Sequence, residues 1–180
     1  MKRTSVAVTG IALLLGSAVF TLGSTSQAGT STSTKCGVER WKVKTLQDRP
    51  KLHAVKTATI AQLISVTKPV PLPGTRAPFE FNVFKVNAKV TQIIGEDDGD
   101  LHIVISDGTH TMIAEAPIAD CNTAATPYRR KQMEDARDAV KICDNAQLIG
   151  VAFFDFFHHQ TGVAPNEIEL HPLLAFRCLA

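Results

Sequence analysis

Apolar residues recur at every second position along much of the chain, and this alternation predicts a series of β-strands. The pattern is clear over 84–90 and again over 101–105, as in strands that bury one face. Further strands are predicted over about 110–116, 147–154 and 168–177, because apolar runs there lie between turn-forming residues. The sequence therefore predicts a mainly β domain.

The first of these strands is predicted to be long and bent. Phe79, Phe81 and Val83 share one parity, whereas Phe84 and Val86 share the other. A strand changes face only where it slips by one residue, so we expect a β-bulge near Val83–Phe84. In the last strand we expect the apolar side chains to lie on one face; these are Ile168, Leu170, Leu174 and Phe176.

One principal helix is predicted between the third and fourth strands. Thr126 is a suitable cap, Pro127 suits the first helical position, and apolar residues from Met133 to Cys143 recur at helical spacing. Three strands, a helix and two strands are the element order of the oligonucleotide/oligosaccharide-binding (OB) barrel. A bulged first strand also suits barrel closure. We therefore predict a five-stranded OB-like barrel, with a small open β-sandwich as the alternative.

The N-terminal end has the pattern of a secretory signal peptide. Lys2 and Arg3 precede an uncharged apolar run over 6–22, and small residues flank Gln27. We predict a signal peptide over 1–28, cleaved near Ala28; the alternative is an uncleaved membrane anchor. A cleaved protein would be secreted or periplasmic, with no membrane span.

The rest of the chain divides into three segments. Residues 29–35 are small and polar, and we expect a flexible lead-in there. Residues 36–78 are predicted to form an N-terminal arm, extended over 36–50, with a short helix. Thr59–Gln62 has the capping-box pattern, which places that helix up to about Ser65. Residues 79–180 are predicted to form the barrel, and we expect arm and barrel to pack as a single domain.

The charge balance argues against nucleic acid as a partner. The full chain has 19 basic and 17 acidic residues. Cleavage removes Lys2 and Arg3, so the mature chain has 17 of each and is neutral. Nucleic-acid-binding domains usually carry a basic patch. The predicted strands over 101–116 also lack aromatic residues on which bases could stack.

Four cysteines lie in the mature chain, and an even number in an exported protein favours two disulfides. Three pairings are open for Cys36, Cys121, Cys143 and Cys178. We favour Cys121–Cys143, which would close a loop around the helix, and Cys36–Cys178, which would join the chain ends. A cysteine metal site is the weaker alternative, because no C-x-x-C pair is present.

Three segments have distinctive sequences: CGVERW with VKT over 36–45, TMIAE over 111–115, and the long run from Gly150 to Pro172 that includes QTGVAPN. Through them the chain resembles a group of exported bacterial OB-fold-like proteins. The resemblance implies export and the OB fold, and it implies no particular activity or substrate. His159 and Glu167 depart from the group, whose members tend to carry glycine there.

The densest group of polar side chains lies in the last long loop, 155–167, and in the strand after it. In an OB barrel that loop and the first hairpin loop flank the usual binding face. Glu169 and His171 are two residues apart on a strand, so both should emerge on one face. We therefore expect a ligand to contact Asp155, His158, Gln160, Thr161, Asn166, Glu169 and His171.

Three functions follow as hypotheses. The first is an exported, non-catalytic OB-like binding or interaction module whose partner is a glycan, a peptide or an envelope protein. The second is a metal-dependent hydrolase with His158, Glu169 and His171 as ligands, since a metal ion with an open position activates water. The third is a structural accessory domain of an envelope or extracellular assembly.

Other observations weaken the catalytic hypothesis. The spacing of known zinc motifs is absent, and no serine stands in a G-x-S-x-G context. No cofactor motif is present. Polar loop residues also often bond to their own backbone, which is a purely structural role. The acidic run over 96–100 is expected to be a solvated hairpin tip, because it lacks the EF-hand calcium pattern.

Overall fold

The computed structural model describes residues 36–180. The predicted signal peptide and the predicted lead-in lie outside the described residues. Within 36–180, no helix is both long enough and apolar enough to cross a membrane.

The described chain contains six strands and three α-helices. The strands are β1 Val55–Thr57, β2 Val83–Gly95, β3 Leu101–Ser106, β4 Thr111–Ala116, β5 Cys143–Phe154 and β6 Ile168–Cys178. The α-helices are α1 Trp41–Lys44, α2 Ile60–Ile64 and α3 Pro127–Ala139. Two short 3-10 helices cover Pro78–Phe81 and Ala119–Cys121.

The strands form one sheet in the order β1-β2-β3-β4-β6-β5, and β2 also pairs with β5. This second pairing closes β2 to β6 into a five-stranded barrel, to which β1 adds a short parallel strand beside β2. In the barrel β4 and β6 run parallel and the other neighbours run antiparallel. Because α3 lies between β4 and β5 in the chain, this is an OB-like barrel. The predicted fold class is confirmed.

The bend in β2 lies further along than predicted. Register shifts occur between Ala88 and Val90 towards β5, and between Val90 and Gln92 towards β3. The change of face at Val83–Phe84 has another cause, since the chain before it is a 3-10 helix. Val83 packs in a small outer apolar cluster, and Phe84 packs in the barrel core.

The barrel core is built from alternate residues of its strands, as the alternation predicts. Its members include Val86, Val90, Ile103, Ile105, Met112 and Ala114. The last strand differs from the prediction, because register shifts near Gly150 accompany a change of face in β6. Leu173 therefore joins the main core, whereas Leu174 packs in the outer cluster.

Capping residues in the sequence correctly predict the start of two of the three α-helices. The side chain of Thr59 accepts from the Gln62 amide at 3.1 Å, and the Gln62 side chain accepts from the Thr59 amide at 2.9 Å. The predicted capping box therefore starts α2, and Thr126 caps α3 as expected. The predicted extended arm over 36–50 is wrong, because it contains α1.

The predicted cysteine pairing is also wrong, although two disulfides are present. The pairs are Cys36–Cys121 and Cys143–Cys178. Cys143 is the first residue of β5 rather than part of the helical stripe, and the antiparallel register sets the start of β5 beside the end of β6. Cys121 therefore pairs with Cys36, at the start of the arm.

Candidate functional site

A layer of polar side chains lies on the outer face of β3, β4 and β6. His102, Glu115, Glu169 and His171 each alternate with core residues, so they point away from the barrel interior. All four are nevertheless buried, with at most 3% of the surface of each exposed. Another part of the chain must therefore cover this face.

Two segments cover it. The loop over 155–167 packs down on β3, where the backbone carbonyl of Thr161 lies 2.8 Å from His102 Nε2. At Gly162 a Cβ atom would stand 2.5 Å from Val104 Cγ1, so only glycine allows this approach. The arm contributes Lys44, whose buried ammonium donates to Asp155 Oδ2 at 2.8 Å.

Glu115 is the centre of the buried layer. Its Oε2 lies 2.7 Å from His171 Nδ1, and its Oε1 lies 3.4 Å from His102 Nδ1. His171 Nδ1 is also 3.1 Å from Glu169 Oε1, and its Nε2 is 3.5 Å from Asp100 Oδ2. The predicted neighbours Glu169 and His171 do share a face, but Glu115 and Asp100 were not foreseen as their partners.

Glu115 and His171 carry opposite charges. Burial acts to raise the pKa of Glu115, but the charge of His171 above all outweighs it and holds that pKa well below the usual range. Burial acts to lower the pKa of His171, but the carboxylates around it, Glu115 above all, raise it to about 10. The pair is therefore a carboxylate and an imidazolium at neutral pH.

The layer as a whole contains more carboxyl groups than cations. Burial, with the nearby charge of Glu115, raises the pKa of Glu169 to about 8. Burial likewise raises the pKa of Asp100 to about 7, against the opposing effect of His171. Lys44 stays charged, since the surrounding carboxylates outweigh its burial and raise its pKa above the usual range.

A cavity of about 450 Å³ opens beside this layer. It lies between the arm, the β2–β3 hairpin loop and the 155–167 loop, and these two loops flank the ligand face of an OB barrel. Its lining residues are Gly37, Val38, Glu39, Trp41, Lys44, Glu96, Asp98, Asp155, His158 and Gln160. The lining has four carboxyl groups against one lysine and one histidine, which favours a cationic ligand.

Three of the predicted site residues line this cavity. Asp155 is held by Lys44, and Gln160 Nε2 donates to Glu96 Oε1 at 2.6 Å. His158 Nε2 lies 3.1 Å from an oxygen of Glu39. A ligand in the cavity would therefore meet Asp155, His158 and Gln160.

The other four predicted residues lie elsewhere. Asn166 donates to the carbonyls of Leu63 and Val66 at 3.0 and 2.8 Å, which ties the loop to α2. The backbone carbonyl of Thr161 contacts His102 Nε2 at 2.8 Å. Glu169 and His171 lie in the buried layer. Contact of a ligand with these four residues remains a prediction.

The predicted metal ligands do not form one group. His158 lies with Glu39 and Asp155, whereas His171 lies with Asp100 and Glu115. Within residues 36–180, none of the ion pairs closer than 4 Å joins His158 to Glu169. Asp155 Oδ2 is moreover occupied by the Lys44 ammonium.

Sequence reasoning missed the contribution of the arm. Glu39, Trp41 and Lys44 come to the cavity through contacts distant in sequence. Their segment, CGVERW with VKT, is distinctive only through its resemblance, and nothing in it indicates a site. Glu96 and Asp98 did carry a signal, since they belong to the acidic hairpin tip. Trp41 is the only tryptophan of the chain, and its ring nitrogen donates to the Cys121 carbonyl at 3.0 Å.

No protein-family model matches this chain, and no curated protein matches its sequence. Among solved structures, it is similar to an aspartyl-tRNA synthetase from Leishmania major Friedlin (10% identity, TM-score 0.43, 68% of this chain and 20% of that one). It is also similar to the aspartyl-tRNA synthetase of Entamoeba histolytica (11% identity, TM-score 0.44, 67% of this chain and 20% of that one). A third similar structure is the asparaginyl-tRNA synthetase of that organism (6% identity, TM-score 0.40, 71% of this chain and 24% of that one). The chain spans about a quarter or less of each, and the fold assignment rests on its own strand order.

Proposed function

We propose that the protein is an exported, non-catalytic binding module that accepts a positively charged group of a peptide or an envelope protein. The observation that carries this proposal is the acidic cavity at the OB ligand face, with four carboxyl groups against one lysine and one histidine. A cationic side chain entering it would gain ion pairs. A neutral glycan would gain less, and a phosphate backbone would be repelled.

Export is supported by two features. The signal-peptide pattern at the N-terminus is that of a secreted or periplasmic protein. The two disulfides, Cys36–Cys121 and Cys143–Cys178, would persist in an oxidising compartment.

Binding rather than catalysis is supported by how the polar groups of the cavity are held. Asp155 is neutralised by Lys44, and its Oδ1 accepts from the Phe156 amide at 2.8 Å. Glu39 is exposed beside His158, and Glu96 is held by Gln160. Asp155 and Glu96 therefore offer hydrogen-bond acceptors in fixed positions, which favours recognition of a cation.

Trp41 gives a direct assay, because the single tryptophan lines the cavity. We would titrate the chelator-treated protein with an end-blocked Arg-Gly-Arg peptide and follow tryptophan emission. We expect saturable binding that weakens with added salt. Glu39→Gln and Asp98→Asn should each weaken it about twofold to fivefold, the effect of one partly exposed ion pair.

The matched control is Asp144→Asn, an exposed carboxylate at the opposite end of β5. It removes the same charge far from the cavity and should leave binding unchanged. The proposal is overturned if the peptide does not bind, or if all three variants weaken binding equally. It is also overturned if a chitin oligosaccharide or single-stranded oligo-dT binds more tightly than the peptide.

A further inference from the structure

Three side chains converge between the cavity and the buried layer. His102 Nδ1 lies 3.5 Å from Glu96 Oε1 and 3.4 Å from Glu115 Oε1. These separations exceed the usual range of about 2.7–3.2 Å for an N–H···O hydrogen bond. His102 is 1% exposed, yet its Nδ1 has no hydrogen-bond partner within the described residues. Because a buried polar atom without a partner is costly, this group points to a ligand.

The spacing fits a metal ion. Two ligand atoms of a tetrahedral ion with bonds of about 2.1 Å lie about 3.4 Å apart. One ligand atom from each of the three residues lies within 4.8 Å of the other two. We propose that Glu96, His102 and Glu115 bind a divalent transition metal ion such as Zn²⁺.

Each of the three ligands is oriented by a further hydrogen bond. His102 Nε2 faces the Thr161 carbonyl at 2.8 Å, which leaves the lone pair on Nδ1. Gln160 donates to Glu96 Oε1 at 2.6 Å, and His171 Nδ1 lies 2.7 Å from Glu115 Oε2. Metal-binding histidines and carboxylates are typically supported in this way by a carbonyl, an amide or another charged group.

The ligand types select the class of metal. An imidazole favours transition metals over Mg²⁺ and Ca²⁺, which prefer oxygen ligands alone. Two carboxylates balance the charge of a divalent ion. The side chain of Glu96 is 24% exposed and lines the cavity, so an ion reaches the site from solvent. A fourth position would face the cavity.

Two other groups of potential ligands are less suited. In the described part of the chain, Asp100 and His171 also have buried polar atoms without a hydrogen-bond partner, but none of Asp100, Glu115 and His171 lines the cavity. The contact of 2.7 Å between Glu115 and His171 moreover already joins that pair. In the group of Glu39, Asp155 and His158, the Lys44 ammonium occupies Asp155 Oδ2. The metal site is therefore assigned to the group around His102. Because Glu96 also lines the cavity, peptide is titrated without metal and metal without peptide, so that the two proposals fail separately.

The test is titration of the chelator-stripped, oxidised protein with Zn²⁺ by calorimetry and with Co²⁺ by visible absorption. We expect one ion per chain, intense tetrahedral Co²⁺ bands and a higher melting temperature with Zn²⁺. Glu96→Gln should lower the affinity more than about 100-fold, because loss of a mere supporting partner already costs about 10- to 100-fold. Gln160→Ala, a change in such a partner, should cost about 10-fold.

Asp97→Asn is the matched control, since it removes an exposed carboxylate from the same hairpin tip but belongs neither to the cavity lining nor to the ligand set. It should leave the Zn²⁺ affinity unchanged. Glu96 is partly exposed, so Glu96→Gln should fold, and its far-ultraviolet circular dichroism would verify this. If that variant does not fold, the Co²⁺ spectrum of the unmodified protein and the Gln160→Ala titration decide the question.

Several results would overturn the assignment. One is the lack of saturable Zn²⁺ and Co²⁺ binding. Another is equal weakening by Glu96→Gln and Asp97→Asn, which would indicate diffuse attraction to an acidic surface. A third is loss of binding in His158→Gln alone, which would place the ion with Glu39 and Asp155. Mg²⁺ binding as tight as Zn²⁺ binding would also contradict it.

Discussion

A buried ion pair between Arg40 and Glu80 joins the arm to the barrel. The guanidinium nitrogens lie 2.7 and 2.6 Å from the two carboxylate oxygens, and the side chains are 3% and 0% exposed. Arg40 also donates to the carbonyls of Phe154 and Thr75. Glu80 in turn accepts from the amides of Ala77 and Phe154. The pair thus connects three segments of the chain, at residues 40, 75–80 and 154.

Arg40→Met tests what this pair contributes. The change removes the cation but keeps an apolar stem, so Glu80 remains buried without its counterion. Removal of one partner from a buried ion pair costs about 3–5 kcal/mol. We expect about 3 kcal/mol, the lower end, because the two backbone amides still donate to Glu80. In a domain of this size that loss lowers Tm by about 10 °C.

The assay is urea unfolding followed by Trp41 emission and circular dichroism. The matched control is Lys89→Met, because the Lys89–Asp144 pair is 54% and 89% exposed and should contribute little. A loss below about 1 kcal/mol in Arg40→Met, comparable to a surface pair, would refute the reasoning. A similar loss in both variants would refute it as well.

Three further predictions concern the loop and the arm. Gly162→Ala should lower the free energy of unfolding by at least about 2 kcal/mol in urea titrations, because its Cβ would meet Val104 and φ is +84°. An unchanged midpoint would contradict the close approach. His159→Gly should raise the free energy of unfolding by about 0.5 kcal/mol in the same urea titrations, since His159 has a φ of 57°. Replacing Cys36 and Cys121 by serine opens a link between residues 85 apart and should cost up to about 4–5 kcal/mol. A non-reduced digest should contain that linked pair.

The barrel could be predicted because its signals are local. Alternation along β3 and β4 identifies Ile103, Ile105 and Met112 as core residues whatever the rest of the chain does. The capping residues Thr59 and Thr126 act within one turn of their helices. Element order then limits the topology, and the OB barrel follows.

The site could be predicted only in part because it depends on contacts distant in sequence. By parity, His102 and Glu115 belong to a polar face that would normally meet solvent. They are buried only because the arm and the 155–167 loop cover them, and nothing near Lys44 in the sequence indicates this. The cysteine pairing was wrong for a related reason, since Cys143 starts a strand whose neighbour is set by the register.

The covered face limits what the protein can bind. In an OB barrel the outer face of β3 and β4 is where an extended polymer would lie. Here a polymer would have to displace the arm, which is held by the Arg40–Glu80 pair and the Cys36–Cys121 disulfide. A short group entering the cavity at the edge of that face displaces nothing. The architecture therefore favours recognition of a single side group over recognition of a strand, and the acidic lining favours a cation.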